Sequence, residues 1–179
     1  KSEVIAYCSK LWISEITIRA SQVADGRQGL AMIGELFEQI GHHIRVRPGL
    51  TGEVIAFLAK RRDFSAVPLL TVAERMLAFP ELSEFDEFKD ESIEEVLRYN
   101  LNWAVDHNEL PTHTNTDAVA IALISLFYGI PLALHTTQQF SISSSCRRQL
   151  NLLWLGVHGL ASNGKKPSSS RPSLHHRQG

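Results

Sequence analysis

A chain of 179 residues that is 44% hydrophobic and 21% charged is long enough to bury roughly two thirds of its unfolded surface, and short enough to be one domain with a tail. Formal charge is minus one, from 18 Lys and Arg against 19 Asp and Glu. Four of the basic residues (Lys165, Lys166, Arg171, Arg177) lie in the tail, so the body carries 14 against 19, or minus five, which excludes nucleic acid from most of its surface. Cys8 and Cys146 have neither metal-type nor redox-type spacing and suit a reducing cytoplasm, and no signal-peptide pattern is seen.

From Ser2 to Ala24 apolar residues recur at 4, 5, 8, 11, 12, 16 and 23, with Lys10, Glu15 and Arg19 between them, which predicts an amphipathic helix. Asp25-Gly-Arg-Gln28 reads as a break and a new helix start, with Asp25 available as cap and Gln28 three residues on. The second helix places Leu30, Ile33, Leu36, Phe37, Ile40 and Ile44 on one face, and Pro48-Gly49 ends it. A shorter helix is expected over Thr51 to Arg62, its basic end Lys60-Arg61-Arg62 facing the helix C-terminal dipole. Another is expected from Pro68 to Ala78, stopped by Pro80. Residues 81 to 95 carry eight acids against Lys89 alone; either Ser83 or Ser92 can cap the long helix that runs through Ile93, Val96, Leu97, Asn100, Leu101, Trp103, Ala104 and His107. Asn108 to His113 is a turn, and Thr114-Asn-Thr-Asp117 has the form of a capping box. No strand pattern or repeat appears, so the fold class is all-α, a bundle of roughly seven helices. Residues 163 to 179, Ser/Pro-rich and basic, lack the apolar residues to fold and are expected to be a disordered tail.

The last two helices are the most apolar. Asp117 to Leu134 carries no formal charge after Asp117, and a helix without a polar stripe must be covered on most sides. About 17 apolar residues, with Gly129 and Pro131 in the last turns and no basic flank, argue against a membrane span. The final segment, Leu150 to Ala161, is apolar at 150, 152, 153, 154, 155, 157, 160 and 161, too wide for one neighbour. Two such helices predict an isologous four-helix interface and a homodimer. The residues expected there are Ile121, Ser125, Tyr128, Leu150, Leu153, Trp154, Val157 and Leu160.

This helix order, with Glu109-Leu110-Pro111 in a turn, a charge-poor helix with Gly129 near its end, a polar joint and a Leu-rich final helix closing on Gly156-Val-His-Gly159, resembles the C-terminal half of TetR-family transcriptional regulators. Lys1-Ser2-Glu3-Val4-Ile5 resembles the start of the helix that follows that family's DNA-binding helices. The resemblance covers residues 1 to 162. It implies a domain that dimerises and takes a small apolar effector into a cavity between helices, without enzyme activity or cofactor. The family's three-helix helix-turn-helix module has no counterpart in these residues, so operator DNA is expected to be bound only through a module absent from them.

Candidate cavity residues are Trp12, Met32, Phe37, Phe57, Met76, Tyr99, Trp103 and Phe127, since a bundle pocket is lined by such side chains with a few polar groups; each would serve equally as ordinary core. Asn100 sits on an otherwise apolar face and must bond backbone, water or ligand, since burial unpaired costs about 1–3 kcal/mol. His42-His43 with Glu38, and Glu35 nearby, offers an alternative reading as an enzyme or metal site, but lacks a Glu-x-x-His pair on a second helix, and a surface histidine pair is the plainer expectation. A third reading is a ligand-free interaction module. Gly159 to Lys166 only approximates a phosphate loop, because a helix and not a strand precedes it. Cys146 beside Arg147-Arg148 is either an activated thiol or a buried, idle one.

Overall fold

The structure is a computed structural model, and it describes residues 2–46, 48–61, 69–82, 92–134 and 142–163. Among the described residues the chain is all-helical: α1 (Ser2–Ala24), α2 (Leu30–Val46), α3 (Pro48–Arg61), α4 (Val72–Ala78) with a 3-10 turn at Pro80–Leu82, α5 (Ile93–Asp106), α6 (Thr116–Leu134) and α7 (Ile142–Asn163). The α-helix α2 touches α1, α3, α5, α6 and α7, so it is the hub of the bundle. The expected tail from residue 164 onward and Ser83 lie outside the described residues.

Most helix starts follow from local chemistry. Ser92 caps α5, its Oγ accepting the Glu95 amide while the Glu95 carboxylate accepts the Ser92 amide. Thr71 and Glu74 form the same reciprocal box on α4, which therefore begins at Val72 and not at Pro68. Asn115 caps α6 by accepting from the Ala118 amide at 3.0 Å, so the expected box between Thr114 and Asp117 does not form. Pro48 opens α3 instead of only closing α2, as its fixed φ and missing N–H allow at a first helical position. At the end of α5, Asn108 takes φ 61, while the Glu109 and Asn108 amides donate to the Ala104 and Val105 carbonyls. This is a Schellman ending with Asn in the left-handed position.

The start of α2 is different. Asp25 and Gly26 both have positive φ (50 and 76) and turn the chain, and Asp25 does not cap α2. The first α2 amides are satisfied from α5 and its trailing turn: Gly29 N–H donates to Asn100 Oδ1 at 2.9 Å, and Leu30 N–H donates to Glu109 Oε2 at 2.8 Å. A carboxylate there also suits the positive end of the helix dipole. The Asn100 amide nitrogen donates to the Val96 carbonyl at 2.9 Å, so the buried side chain is committed to backbone on both ends. Gly29 has φ +68, and a methyl added to it would sit 2.6 Å from Trp103 Cε3 and collide with the Glu109 carboxylate.

The core centres on interlocked rings. Trp12, Phe37 and Phe127 are fully buried, with Trp12–Phe127 and Phe37–Phe127 centroids 5.7 and 6.1 Å apart in edge-to-face contact, and Tyr128 5.2 Å from Phe127. Met32, Ile33, Leu36, Ile40 and Ile44 of α2, Val54, Ile55 and Leu58 of α3, and Val96, Leu97 and Leu101 of α5 surround them. A smaller cluster, Ile18, Leu70 and Phe79, ties α1 to the α4 region. Ser14 Oγ accepts the Leu70 amide at 2.8 Å beside it.

Over Thr116–Ala133, α6 has mean hydropathy 1.7 and is, by length and composition, the one helix among the described residues able to cross a membrane. Val119, Ala120, Leu123, Phe127, Tyr128 and Ile130 enter the core. On its other side Ile121, Ser125 and Leu132 are exposed. The helix α7 starts eight residues before Leu150, and one face (Cys146, Leu150, Leu153, Trp154, Val157) packs on the core. Leu152, Leu155 and Leu160 point away and are exposed, Leu155 by 70% and Leu160 by 77%. Tyr128 and Leu150 were expected at a dimer interface, but both are buried inside the single chain. Helical phase places them inward, with Phe127 and Cys146 respectively.

Replacing Asn100 by Ala is expected to lower unfolding free energy by about 1–3 kcal/mol, read from urea denaturation, and to speed hydrogen exchange at the Gly29 amide. An unchanged midpoint with unchanged exchange would show that α2 does not depend on this cap.

Candidate functional site

The cavity of interest is a cleft of ≈ 340 Å³ lined by Cys8, Leu11, Trp12, Glu15, Arg19, His43, Leu50, Ala78, Phe79 and Glu81. It lies where α1 and the C-terminal part of α2 meet the start of α3 and the α4 turn. Residues 8, 11, 12, 15 and 19 recur at helical spacing, so a single face of α1 forms one wall. Its volume falls in the range of small-molecule pockets, about 300–1,000 Å³.

The cleft is half polar. His43 Nε2 and Glu15 Oε2 are 3.2 Å apart, and Arg19 Nε donates to Glu15 Oε1 at 3.0 Å. The Arg19 guanidinium also reaches Glu81 at 3.8 Å. The hydrogen bond from His43 holds the Glu15 carboxyl well down, at about 2 against an ordinary 4.5; it outweighs the opposite push of burial, and Arg19 adds to it. An ionised Glu15 only accepts, so His43 Nε2 carries the hydrogen in this pair. On the other side of the ring, His43 Nδ1 is buried without a hydrogen-bond partner, as is the indole Nε1 of Trp12. The two rings meet edge to face with centroids 6.2 Å apart.

Of the side chains singled out for a cavity, Trp12 alone lines this cleft. Met32, Phe37 and Phe127 are core, and Phe57 is half-buried against it. Met76 and Tyr99 are 55% and 57% exposed, so neither lines the interior: Tyr99 is on the outer side of α5, away from Val96, Leu97 and Asn100. Trp103 stacks on His107 at 3.7 Å and packs over Gly29, while Asn100 holds backbone. Sequence reasoning did not single out Glu15 or Arg19, and named His43 only as half of the His42-His43 pair. The expected surface pair His42-His43 is split, with His42 exposed and His43 only 6% exposed, because position 43 lies on the Leu36, Ile40 and Ile44 face. Glu38 is engaged by Arg147 at 2.7 Å, so it does not join the histidines. Among the described residues no group of three or more His, Cys, Asp or Glu is placed to hold a metal. Cys146 is buried, and burial, with Glu38 adding, pushes its thiol up to about 12, which leaves it protonated and unreactive at neutral pH.

Comparison with family models, with curated proteins and with solved structures finds no match for this chain.

The Glu15 carboxyl is depressed in the folded chain, so its contribution to stability is full above its ordinary value of 4.5 and is lost as pH falls toward about 2. Glu15→Gln should therefore flatten the fall in stability across that window, measured as urea midpoints against pH. Parallel curves for the two proteins would show that the His43 and Arg19 contacts do not act in solution.

Proposed function

We propose that the chain is the effector-binding and dimerisation domain of a TetR-like transcriptional regulator, a two-copy sensor and not an enzyme. The observation that carries this reading is the pair of exposed apolar stripes on neighbouring helices. Ile121, Ser125 and Leu132 recur along α6, and Leu152, Leu155 and Leu160 along α7 with Gly156 and Gly159 between them. The Ser125 hydroxyl donates to the Ile121 carbonyl at 2.8 Å, so it asks nothing of a partner. A Cβ at Gly156 or Gly159 would meet nothing within 4 Å, which leaves room for the backbone of another helix to approach. Apolar helix faces of this kind are covered most economically by their own copy about a two-fold axis. Helix order and the charge-poor α6 support the family resemblance.

In this reading the cleft beside His43 takes the effector, and operator DNA would be held by a helix-turn-helix module that these residues do not include. A differential of about 1–3 kcal/mol between two dimer arrangements would alter operator affinity several-fold to about a hundredfold. The setting would be the cytoplasm.

Light scattering of the purified chain is expected to give twice the 20.0 kDa of one copy. The double variant Leu155→Glu, Leu160→Glu should give one copy with unchanged helical circular dichroism, because both side chains are exposed. A wild-type monomer at micromolar concentration would overturn the proposal.

A further inference from the structure

We infer that the cleft between α1, α2, α3 and the α4 turn binds an α-amino acid with an apolar side chain, its carboxylate on the Nη1–Nη2 edge of Arg19 and its ammonium on Glu81. The inference rests on the reading above only in calling that molecule an effector.

Three observations converge on this chemistry. First, Arg19 and Glu81 are the most exposed charged side chains of the cleft, and they stand near each other without satisfying each other. Arg19 gives its Nε–H to Glu15 Oε1 at 3.0 Å, and among the described residues the rest of its guanidinium meets only Glu81, at 3.8 Å. That separation is too long for a hydrogen bond, and an ion pair so exposed and loose is easily opened. Arg19 therefore keeps a planar fork of N–H donors, which fits a carboxylate through two parallel hydrogen bonds. Glu81 keeps acceptor positions for an ammonium. An α-amino acid carries both ions on one carbon, nitrogen and oxygen about 3 Å apart, so one molecule can enter between the two side chains. Second, the charges already present select a ligand without net charge. A simple anion on Arg19 would face Glu15 and Glu81, and a simple cation on Glu81 would face Arg19. A zwitterion answers both and leaves the Glu15 contacts to His43 and Arg19 intact. Third, Leu11, Leu50, Ala78 and Phe79 supply an apolar wall in the same cleft. Its ≈ 340 Å³ is at the small end of ligand pockets, which suits a short aliphatic or single-ring side chain.

The test is a calorimetric titration of the full chain at neutral pH with L-leucine, with 3-methylbutylamine, which lacks the carboxylate, with 4-methylpentanoate, which lacks the ammonium, and with glycine, which lacks the side chain. Leucine is expected to bind saturably and about tenfold more tightly than the amine or the acid anion, a charge-assisted contact at a half-exposed site being worth about that factor. Glycine should bind more weakly than leucine. Arg19→Met should erase the advantage of leucine over 3-methylbutylamine, and Glu81→Gln its advantage over 4-methylpentanoate. Arg19 also bonds Glu15, so should Arg19→Met fail to fold, Glu81→Gln on its exposed turn and the wild-type ligand series decide. Leucine binding no tighter than the two single ions, no saturable leucine binding up to about 10 mM, or a loss in the variants spread equally over all the ligands, would each overturn the inference. Light scattering on the same samples separates the two claims: a monomer that still prefers leucine keeps the site and discards the regulator, while a dimer that does not keeps the regulator and discards the site.

Discussion

The bundle depends on how the first amides of α2 are satisfied. A helix hub cannot leave its leading N–H groups bare in the interior, and this one has no side chain of its own in place to cap them. Asn100 and Glu109 supply the acceptors from 71 and 79 residues away in sequence, and each is fixed by something else. Asn100 is held by its bond to the Val96 carbonyl. Glu109 is aimed by the left-handed Asn108 turn that ends α5. Gly29 permits the approach because any side chain there would strike Trp103. The result is a junction in which α5 sets the position of α2, and α2 in turn sets α1, α3, α6 and α7.

That arrangement also leaves the centre of the bundle filled by aromatic rings. Trp12, Phe37, Phe127 and Tyr128 come from three helices and meet in edge-to-face contacts, each made with Phe127. Rings in this geometry gain about 0.5–1.5 kcal/mol per pair beyond the area they bury, so the centre is better filled than left open. The cleft lies where α1 brings Glu15 and Arg19 beside His43, at the end of the ring cluster. The cleft is therefore polar on one side by construction.

Helix type, order and most of the buried faces were legible in the residues, because each follows from spacing along one segment. The boxes at Ser92 and the inward face of α2 are of this kind. Two features were not, and a third was readable but passed over. The cap on α2 is made between distant segments, and no local pattern records it. The identity of the cavity wall is a matter of volume, and aromatic or sulfur character alone did not separate Trp12 from Phe37 in the packed centre or from the exposed Tyr99. The third, His43, was in fact readable: it falls seven residues after Leu36 and beside Ile44, so helical phase puts it inside, whereas His42 falls outside. Treating the two histidines as a pair hid that difference. Tyr99 and Tyr128 yield to the same correction, since phase and not residue type decides which way each points.

A sensor needs a body that joins its ligand site to the surface whose geometry it controls. The C-terminal half of α2 has both neighbours. His43 faces the cleft, while two residues earlier Gly41 lies so close to α7 that an added methyl would be 2.8 Å from the Ser143 hydroxyl and 3.2 Å from its amide nitrogen, and one turn before it Glu38 bonds Arg147. Backbone packed this tightly transmits displacement instead of absorbing it. On the proposed reading, a ligand in the cleft that displaces His43 shifts α2 against the first turns of α7, and α7 carries the Leu152, Leu155 and Leu160 stripe. Linkage then requires the reverse as well: pairing through α7 must change the affinity of the cleft by the same factor that the ligand changes the pairing. Proximity along one helix makes such coupling physically direct, without any route through the ring cluster.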